Sequence, residues 1–397
     1  MKQFAFLFCA FLFLADAHAG DALTKLNMME SSALVLVDSG NNAVLEKQAW
    51  RKLVPASTVK LVTALIALEH WGRDYQFRTE FYLDKNSNVL IVKGLGDPFL
   101  ISEELDLIVS KIKNLGIQRL DGIMTDNSYF SSRVNGHGQS KTNNPYDAAA
   151  SALAVNFNTI EVIVRSGKVT SAEPQTPITP MAWKLARGLA DGRHRINLGQ
   201  AHRSPEYFTQ VLTEKLRLAE VEVKKMTQPR AILINPESHL FTHLNSHPLD
   251  VVVKDMLEYS NNFIANQLFL LLGIEKWGAP ATIEKSQHMI RNYIDAVFSW
   301  HDYVIMEGAG LSRANQLSAN QLIDVLKKFV PYRNLMPQQN SHILAKSGTL
   351  SGVSCYAGYL FRNDEWQAFA LLINQPIRYR FREQLAEELL AYEGGNI

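Results

Sequence analysis

Apolar and polar positions alternate near both ends of the chain, in the pattern that predicts β-strands. Two such runs within residues 33–50 surround a turn at residues 39–42, which indicates a hairpin. Three more strands are predicted in the segments "HILAKSGTL", "VSCYAGYLF" and "EWQAFALLINQ", and a helix follows from about residue 380 to 392. Strands at both termini with helices between them predict one sheet built from the two ends of the chain.

Two segments between these strands have the apolar spacing of buried helices. After Pro55, Ser57 suits a helix start, and apolar residues cover nearly every face of the next segment until Gly72. We expect this helix to be central. A second helical stretch is predicted to start near Pro248 and to stop at Gly273.

The middle of the chain, residues 77–247, consists of short alternating strands between turn residues, with one helix predicted at residues 103–115. We therefore expect residues 77–247 to form an inserted β-rich module. Residues 20–76 and 248–397 would form the domain that it interrupts, and a total of 397 residues is long enough for both. The predicted fold class is α/β (α+β), with a mixed helix and antiparallel sheet core.

The first 19 residues are predicted to be a secretory signal peptide. Lys2 precedes an apolar run from Phe4 to Leu14, and Ala17-His18-Ala19 supplies the small-residue cleavage site before Gly20. This run is too short to span a bilayer, and the rest of the chain contains no apolar stretch of about 18 residues, the length that a membrane-spanning helix needs. We expect an exported mature chain without an integral membrane segment.

Charge and cysteine content exclude several classes of protein. Forty Lys and Arg residues against 39 Asp and Glu residues give a net charge of +1, without the basic stripe of a nucleic-acid binder. Cleavage would leave Cys355 as the single thiol, which excludes a disulfide scaffold or a cysteine-built zinc site. His239, His243 and His247 recur every fourth residue, but Pro248 favours a loop or strand there, and we expect no metal.

Ser57 and Lys60 are the first candidates for chemistry. At helical spacing, residues three apart lie on one face, so this hydroxyl and this amine can touch. A serine becomes nucleophilic when a base takes its proton, and a lysine is such a base when desolvation or a nearby cation keeps it neutral. The alternative is a helix-capping Ser57 with a surface Lys60, and residues 110–113 contain the same S-x-x-K spacing by chance.

Two further short motifs follow in the chain. Ser260 and Asn262 interrupt the apolar positions of the second helical stretch, although S-x-N also occurs elsewhere. The segment Lys346-Ser347-Gly348-Thr349 lies on a predicted strand, where the glycine permits a close backbone approach and the lysine can hold a carboxylate. The alternative for Lys346 is a charge that protects a strand edge.

The order of these three motifs, together with their helix, helix and strand context, is the signature of penicillin-recognising serine enzymes. The sequence resembles the low-molecular-mass class C penicillin-binding proteins, the D-alanyl-D-alanine carboxypeptidase/endopeptidase family. The resemblance rests on the segments "PASTVK", "GLGDPF", "SALAVNFN", "YSNN", "EGAGLSRAN" and "AKSGTL". It also rests on the roughly two hundred residues that separate the Ser57 motif from the Ser260 motif. It implies a β-lactamase/transpeptidase-like domain, and it implies that the long insertion is the family's module.

The resemblance also implies roles for the catalytic residues. Ser57 would be the acylated nucleophile, Lys60 its general base, and Ser260 a relay that passes a proton to the leaving group. The backbone N–H groups of Ser57 and Thr349 would form the oxyanion hole.

The remaining roles concern the substrate. Asn262 would bind the donor peptide, and Lys346 would lower the pKa of Lys60. Lys346, Ser347 and Thr349 would bind the donor's terminal carboxylate, beside Gly348. The segment "EGAGLSR" departs from the usual "DGSGLSR", and the acidic, tryptophan-containing loop of the family is not evident at residues 143–147, so no role is carried over to those positions.

The resemblance implies a serine-type D-Ala-D-Ala carboxypeptidase, endopeptidase, or both, that acts on peptidoglycan stem peptides in the periplasm. β-Lactams would be covalent inhibitors, and the serine-lysine pair would need no cofactor. Two alternatives stay open, a β-lactamase and a catalytically silent cell-wall-binding protein.

Overall fold

The computed structural model describes residues 21–134, 138–140, 142–224 and 234–392, so the predicted signal peptide lies outside the described residues. The strands within this part are β1 (Ser32–Val37), β2 (Ala43–Lys47), β3 (Arg78–Asp84), β4 (Val89–Gly94), β5 (Arg119–Leu120), β6 (Gly122–Asp126), β7 (Thr159–Arg165), β8 (Lys168–Ser171), β9 (Gly192–Asn197), β10 (Glu222–Val223), β11 (His239–Leu244), β12 (Gln338–Asn340), β13 (Ile343–Leu350), β14 (Val353–Arg362) and β15 (Glu365–Ile373). The helices are α1 (Asp21–Asn27), α2 (Lys60–Trp71), α3 (Ser102–Asn114), α4 (Pro180–Ala186), α5 (Arg203–Leu218), α6 (Leu249–Glu258), α7 (Asn262–Trp277), α8 (Ile283–Val297), α9 (Ala319–Phe329) and α10 (Phe381–Leu390).

One antiparallel sheet joins the two ends of the chain, as the alternating pattern predicts. Its strand order is β12-β13-β14-β15-β1-β2, and the junction is the pairing of β1 with β15. Strands β14 and β15 are buried along nearly their whole length, because helices cover both faces of the sheet. One face shares a hydrophobic cluster with α2, α7 and α9, of which α9 contacts β1, β14 and β15, and the other face shares a cluster with α1 and α10. The predicted mixed helix and antiparallel sheet core is confirmed.

Helix α2 is central, as its apolar faces predict. Every residue from Lys60 to Leu68 is buried. The helix contacts α6, α7 and α9, and its apolar residues belong to the same hydrophobic cluster as residues of the six-stranded sheet. Gly72 ends the helix with a φ of +79°. A buried helix surrounded on all sides gives the residues at its start a fixed position, which matters for Ser57 and Lys60.

The prediction of one helical stretch from Pro248 to Gly273 is wrong in two respects. The chain breaks between α6 and α7 at Ser260, whose φ is +51°, and the Asn261 side chain caps α7 by accepting a hydrogen bond from the Ile264 N–H at 3.2 Å. Helix α7 then continues past Gly273 to Trp277. The polar interruption at Ser260 and Asn262 marks the break, but apolar spacing resumes after it because both helices bury faces against the same core.

The residues between α2 and α6 form three further sheets and a hydrophobic cluster of their own. The sheets have the strand orders β11-β3-β4-β6, β8-β7-β9 and β10-β5. Three helices, α3, α4 and α5, accompany them, so the expectation of a β-rich segment with one helix undercounts the helices. Helix α5 was missed because its buried face includes polar and small residues, among them Ser204, Thr209 and Thr213.

Gly273 allows α7 to approach α8 closely. A Cβ placed there would lie 2.6 Å from the backbone nitrogen of Ser286. We expect Gly273→Ala to lower the free energy of unfolding by about 1–3 kcal/mol through overpacking. Helix propensity alone predicts the opposite sign, a gain of about 1 kcal/mol. Urea unfolding followed by circular dichroism measures the change, and an unfolding midpoint equal to or above the wild-type value would contradict the expectation.

Candidate active site

Ser57 lies in the 3₁₀ turn Ala56–Val59 that leads into α2, and Lys60 is the first residue of α2. The residue before Ser57, Ala56, has a φ of +46°, a left-handed conformation that costs energy for a residue with a Cβ. The turn brings the Lys60 Nζ to 3.0 Å from the Ser57 Oγ. The structure therefore brings these two sequence-predicted residues together within hydrogen-bonding distance.

The amine of Lys60 is fully buried and has two further neighbours. Its Nζ donates to the Oδ1 of Asn262 at 2.7 Å and to the backbone carbonyl of Ala309 at 2.6 Å. Asn262 comes from the start of α7, and Ala309 from the segment before α9. Two fixed acceptors thus orient the amine, and the Ser57 hydroxyl is its third neighbour.

Burial and charge both lower the pKa of Lys60. Desolvation has the largest effect, and the positive charge of Lys346 adds to it, so the pKa lies well below the ordinary value of 10.5, although Glu307 opposes the shift. Desolvation also lowers the pKa of Lys346, to about 8, and the guanidinium of Arg382 contributes in the same direction. A neutral amine beside a serine hydroxyl can accept its proton.

Glu307 holds the segment that presents the Ala309 carbonyl. Its buried carboxylate accepts hydrogen bonds from the backbone N–H groups of Ala309, Gly310 and Ser312 at 2.8–3.1 Å, and from the side chain of Asn315 at 2.8 Å. The sequence alone left Glu307 and Ala309 without roles. Ala309 acts through its backbone carbonyl, so its side chain carries no signal that could have revealed it.

The strand β13 places Lys346, Ser347, Gly348 and Thr349 beside the Ser57 turn. A Cβ on Gly348 would lie 2.9 Å from the backbone nitrogen of Ser57, so only a glycine allows this approach. Lys346 is buried, and its Nζ donates to the carbonyl of Ser347 at 2.9 Å. The first and third sequence motifs therefore meet, as their order and context predict.

Arg382, at the start of α10, is a neighbour that sequence reasoning missed. Its Nη1 donates to the Thr349 Oγ1 at 2.7 Å, its guanidinium lies 5.7 Å from the centre of the Tyr356 ring, and its Nε pairs with Glu383 at 2.9 Å. A cation beside the Thr349 hydroxyl extends the positive region that begins at Lys346. The dense run of arginines at residues 378–382 was the available signal.

Ser260 lies at the break between α6 and α7, and Asn262 is the first residue of α7. Both line a cavity of about 570 Å³ that reaches into the region between α6 and β7. The Asn262 Nδ2 donates to the Tyr146 carbonyl at 3.0 Å, so its amide links α7 to the segment at residues 143–147. Within the part of the chain described here, the Ser260 hydroxyl makes no hydrogen bond to Ser57 or Lys60, and neither of those two residues lines this cavity.

The remaining candidates have structural partners. His243 bonds to Glu104 at 2.7 Å, and His247 is 3.2 Å from the same carboxylate. Among the residues that the structure describes, no group of three or more His, Cys, Asp and Glu side chains is arranged for a metal ion. Cys355 is buried, and desolvation raises the pKa of its thiol to about 12. Over the same residues, no helix is both long and apolar enough to cross a bilayer.

A serine hydroxyl beside a buried amine, between a glycine-containing strand and a polar helix start, is typical of serine acyl-transfer enzymes that use lysine in place of histidine. Comparison with known proteins agrees with this class. The chain belongs to the D-Ala-D-Ala carboxypeptidase 3 (S13) family, which it matches over residues 16–187 and 188–335. The family and the enzyme class, a serine-type D-Ala-D-Ala carboxypeptidase, are as the sequence motifs predicted.

Two curated relatives and one crystal structure are similar over most of the chain. A D-alanyl-D-alanine carboxypeptidase of Actinomadura sp. is 24% identical over 96% of this chain and 87% of its own length. The D-alanyl-D-alanine carboxypeptidase DacB of Haemophilus influenzae is 23% identical over 91% of this chain and 88% of its own. The crystal structure of penicillin binding protein 4 (dacB) from Haemophilus influenzae has a TM-score of 0.77 and 21% identity, with 94% of this chain and 99% of that chain covered.

The lowered pKa values predict a bell-shaped pH profile for acylation of Ser57 by benzylpenicillin. The rate constant rises with pH as Lys60 loses its proton, well below 10.5, and falls as Lys346 loses its charge near pH 8. Arg382→Gln removes a positive charge that lowers the pKa of Lys346, so the alkaline limb moves to higher pH. Stopped-flow acylation measures both limbs, with Arg187→Gln, an exposed arginine, as the control. An alkaline limb that does not move in Arg382→Gln would contradict the assignment.

Glu307→Gln replaces one acceptor oxygen with an amide that points its hydrogens at backbone N–H donors. We expect a loss of about 1–3 kcal/mol in the free energy of unfolding, and a roughly tenfold to 100-fold slower acylation because the Ala309 carbonyl is displaced from Lys60. Glu365→Gln, at an exposed position of β15, is the matched control. Thermal unfolding and acylation rates together check both effects, and a fully active variant would show that the segment is held by other contacts.

Proposed function

We propose that Ser57 is the acylated nucleophile of this D-Ala-D-Ala peptidase and that Lys60 is its general base. The single observation that carries the proposal is the 3.0 Å contact between the Ser57 Oγ and the buried Lys60 Nζ. The Oγ attacks the carbonyl carbon of the scissile D-alanyl bond while its proton passes to Lys60. The leaving amine departs with that proton through Ser260, and water later hydrolyses the ester.

The developing oxyanion needs donors that are already in place. We assign this role to the backbone N–H groups of Ser57 and Thr349. The close approach of β13 to the Ser57 nitrogen at Gly348 supports the assignment, because it brings the two backbones together without a side chain between them.

The donor peptide would lie in a groove between Asn262 and β13. Asn262 is proposed to bind the donor's amide, and Lys346, Ser347 and Thr349 its terminal carboxylate. The positive charges of Lys346 and Arg382 at this end of the groove support a carboxylate rather than a neutral group.

The same groove is proposed to bind β-lactams covalently. The name of the similar Haemophilus protein, penicillin binding protein 4, supports the binding of penicillin. Peptidoglycan stem peptides in the periplasm are the proposed substrates, reached after cleavage of the signal peptide behind Ala19. We also propose that residues 77–247 are an inserted module in the domain formed by residues 20–76 and 248–397. The separate hydrophobic cluster of that middle part supports this division.

Intact-protein mass spectrometry of the exported protein after exposure to benzylpenicillin tests the proposal, with Ser57→Ala as the comparison. We expect one persistent adduct on the wild type and none on the variant. The measured mass of both should correspond to a chain that starts at Gly20. No adduct with the drug intact would favour a silent cell-wall binder. No adduct with the drug consumed would identify a β-lactamase.

A further inference from the structure

The nitrogen lone pair of Lys60 has to face the Ser57 hydroxyl if the amine is to take its proton. A neutral lysine amine has two N–H groups and one lone pair. Two acceptors lie beside this amine, the Asn262 Oδ1 at 2.7 Å and the Ala309 carbonyl at 2.6 Å. When both N–H groups are donated to these acceptors, the lone pair is left for the Ser57 hydroxyl, whose Oγ lies 3.0 Å away. The direction of the lone pair therefore depends on which end of the Asn262 amide faces the amine.

The side-chain amide of Asn262 has two unlike ends, and a rotation by 180° exchanges them. In the structure, Oδ1 accepts from Lys60, and Nδ2 donates to the backbone carbonyl of Tyr146 at 3.0 Å. The opposite orientation would place Oδ1 against that carbonyl, although both atoms are acceptors, and would turn N–H groups toward the lone pair of Lys60. The Tyr146 carbonyl therefore fixes the orientation of the Asn262 amide.

The segment that presents the Tyr146 carbonyl is held by Asn197, the buried last residue of β9. The Asn197 Nδ2 donates to the carbonyls of Thr142 and Asn144, at 3.0 and 2.6 Å. Its backbone N–H donates to the carbonyl of Asn143, at 3.0 Å. One buried residue thus binds three successive carbonyls of the chain just before Tyr146, and removing buried donors of this kind costs about 1–3 kcal/mol each.

Asn197 itself is separate from the reacting groups. It does not line the cavity of about 570 Å³, and over the described ranges of the chain its side chain makes no hydrogen bond to Ser57, Lys60 or Asn262. Its Oδ1 accepts from the Gly199 N–H at 2.6 Å, so both ends of its amide are bonded within the middle part of the chain. Any effect of Asn197 on the chemistry is therefore indirect.

We propose that Asn197 is a positioning residue for the acylation step. It holds residues 142–146, whose last carbonyl fixes the Asn262 amide, and that amide leaves the lone pair of Lys60 facing Ser57. The inference rests on the proposed role of Lys60 as the general base. It also gives the middle part of the chain, which supplies Asn197, a task in the chemistry.

The first test is the pH profile of acylation by benzylpenicillin, measured by stopped flow on the full mature chain with Asn197→Ala. We expect acylation to be roughly tenfold slower. We also expect the acid limb, where Lys60 loses its proton, to move to lower pH by about half to one unit, because an amide that turns N–H groups toward the amine disfavours its charged form. The charged groups that act on Lys60, Lys346 and Glu307, are the same in both proteins. Partial unfolding would lower the fraction of protein acylated and leave the limb in place.

Two further variants separate positioning from stability. Gln210→Ala removes another buried amide of the middle part, one that accepts from the Met181 N–H at 2.8 Å, and should leave the acid limb in place. Thr142→Val, at an exposed position, removes a hydroxyl that accepts from the Asn144 N–H at 3.2 Å. It loosens the same segment with little risk to folding, and should move the limb in the same direction as Asn197→Ala, by a smaller amount.

A double-mutant cycle with Asn262→Ala shows whether the effect passes through the amide. Without that amide, Asn197→Ala should have no further effect on the acylation rate or on the acid limb. An equal slowing in the Asn262→Ala background, or an acid limb that moves in neither Asn197→Ala nor Thr142→Val, would overturn the inference while acylation of Ser57 stands. A folded wild-type chain that is not acylated at all would overturn the proposed function, and the inference with it.

Discussion

The burial of one amine is the constraint on which the rest of the site depends. Lys60 has no exposed surface, and a charged ammonium in that position is costly unless it is paired or loses its proton. Its three neighbours come from the turn before α2, from the start of α7 and from the segment before α9. These parts are far apart in the chain, so the amine is held in place only when the whole helical layer is assembled on the sheet.

The carboxylate of Glu307, which favours the charged form of Lys60, is hydrogen-bonded to other groups. Glu307 raises the pKa of Lys60, but its carboxylate oxygens are used by three backbone N–H groups and by Asn315. A carboxylate with these bonds stabilises the segment around it and interacts with the lysine only at a distance. The neighbouring positive charge of Lys346 acts in the opposite direction. The balance favours a neutral amine beside the proposed nucleophile.

The sequence predicts those parts of this molecule that depend on local patterns. Strand alternation, the Pro55 and Gly72 boundaries, and the i, i+3 spacing of Ser57 and Lys60 are local, and the sheet from both termini follows from them. The break at Ser260 was missed because apolar spacing resumes in α7 after a short polar interruption. Arg382 was missed because its contact with Thr349 spans 33 residues of chain and depends on how α10 packs on the sheet.

Different residues lie at the two ends of the proposed groove, Asn262 at one end and Arg382 at the other. At one end, Asn262 bonds to both Lys60 and the Tyr146 carbonyl, so the position of the proposed base is tied to the middle part of the chain. At the other end, Arg382 contributes to the lowered pKa of Lys346 and donates to Thr349. A positive charge that can attract an anionic substrate therefore also acts on Lys346, whose own charge lowers the pKa of the proposed base, Lys60. A carboxylate bound there would neutralise part of this positive field and raise the pKa of Lys346. Substrate binding and the protonation states of the site are therefore physically linked.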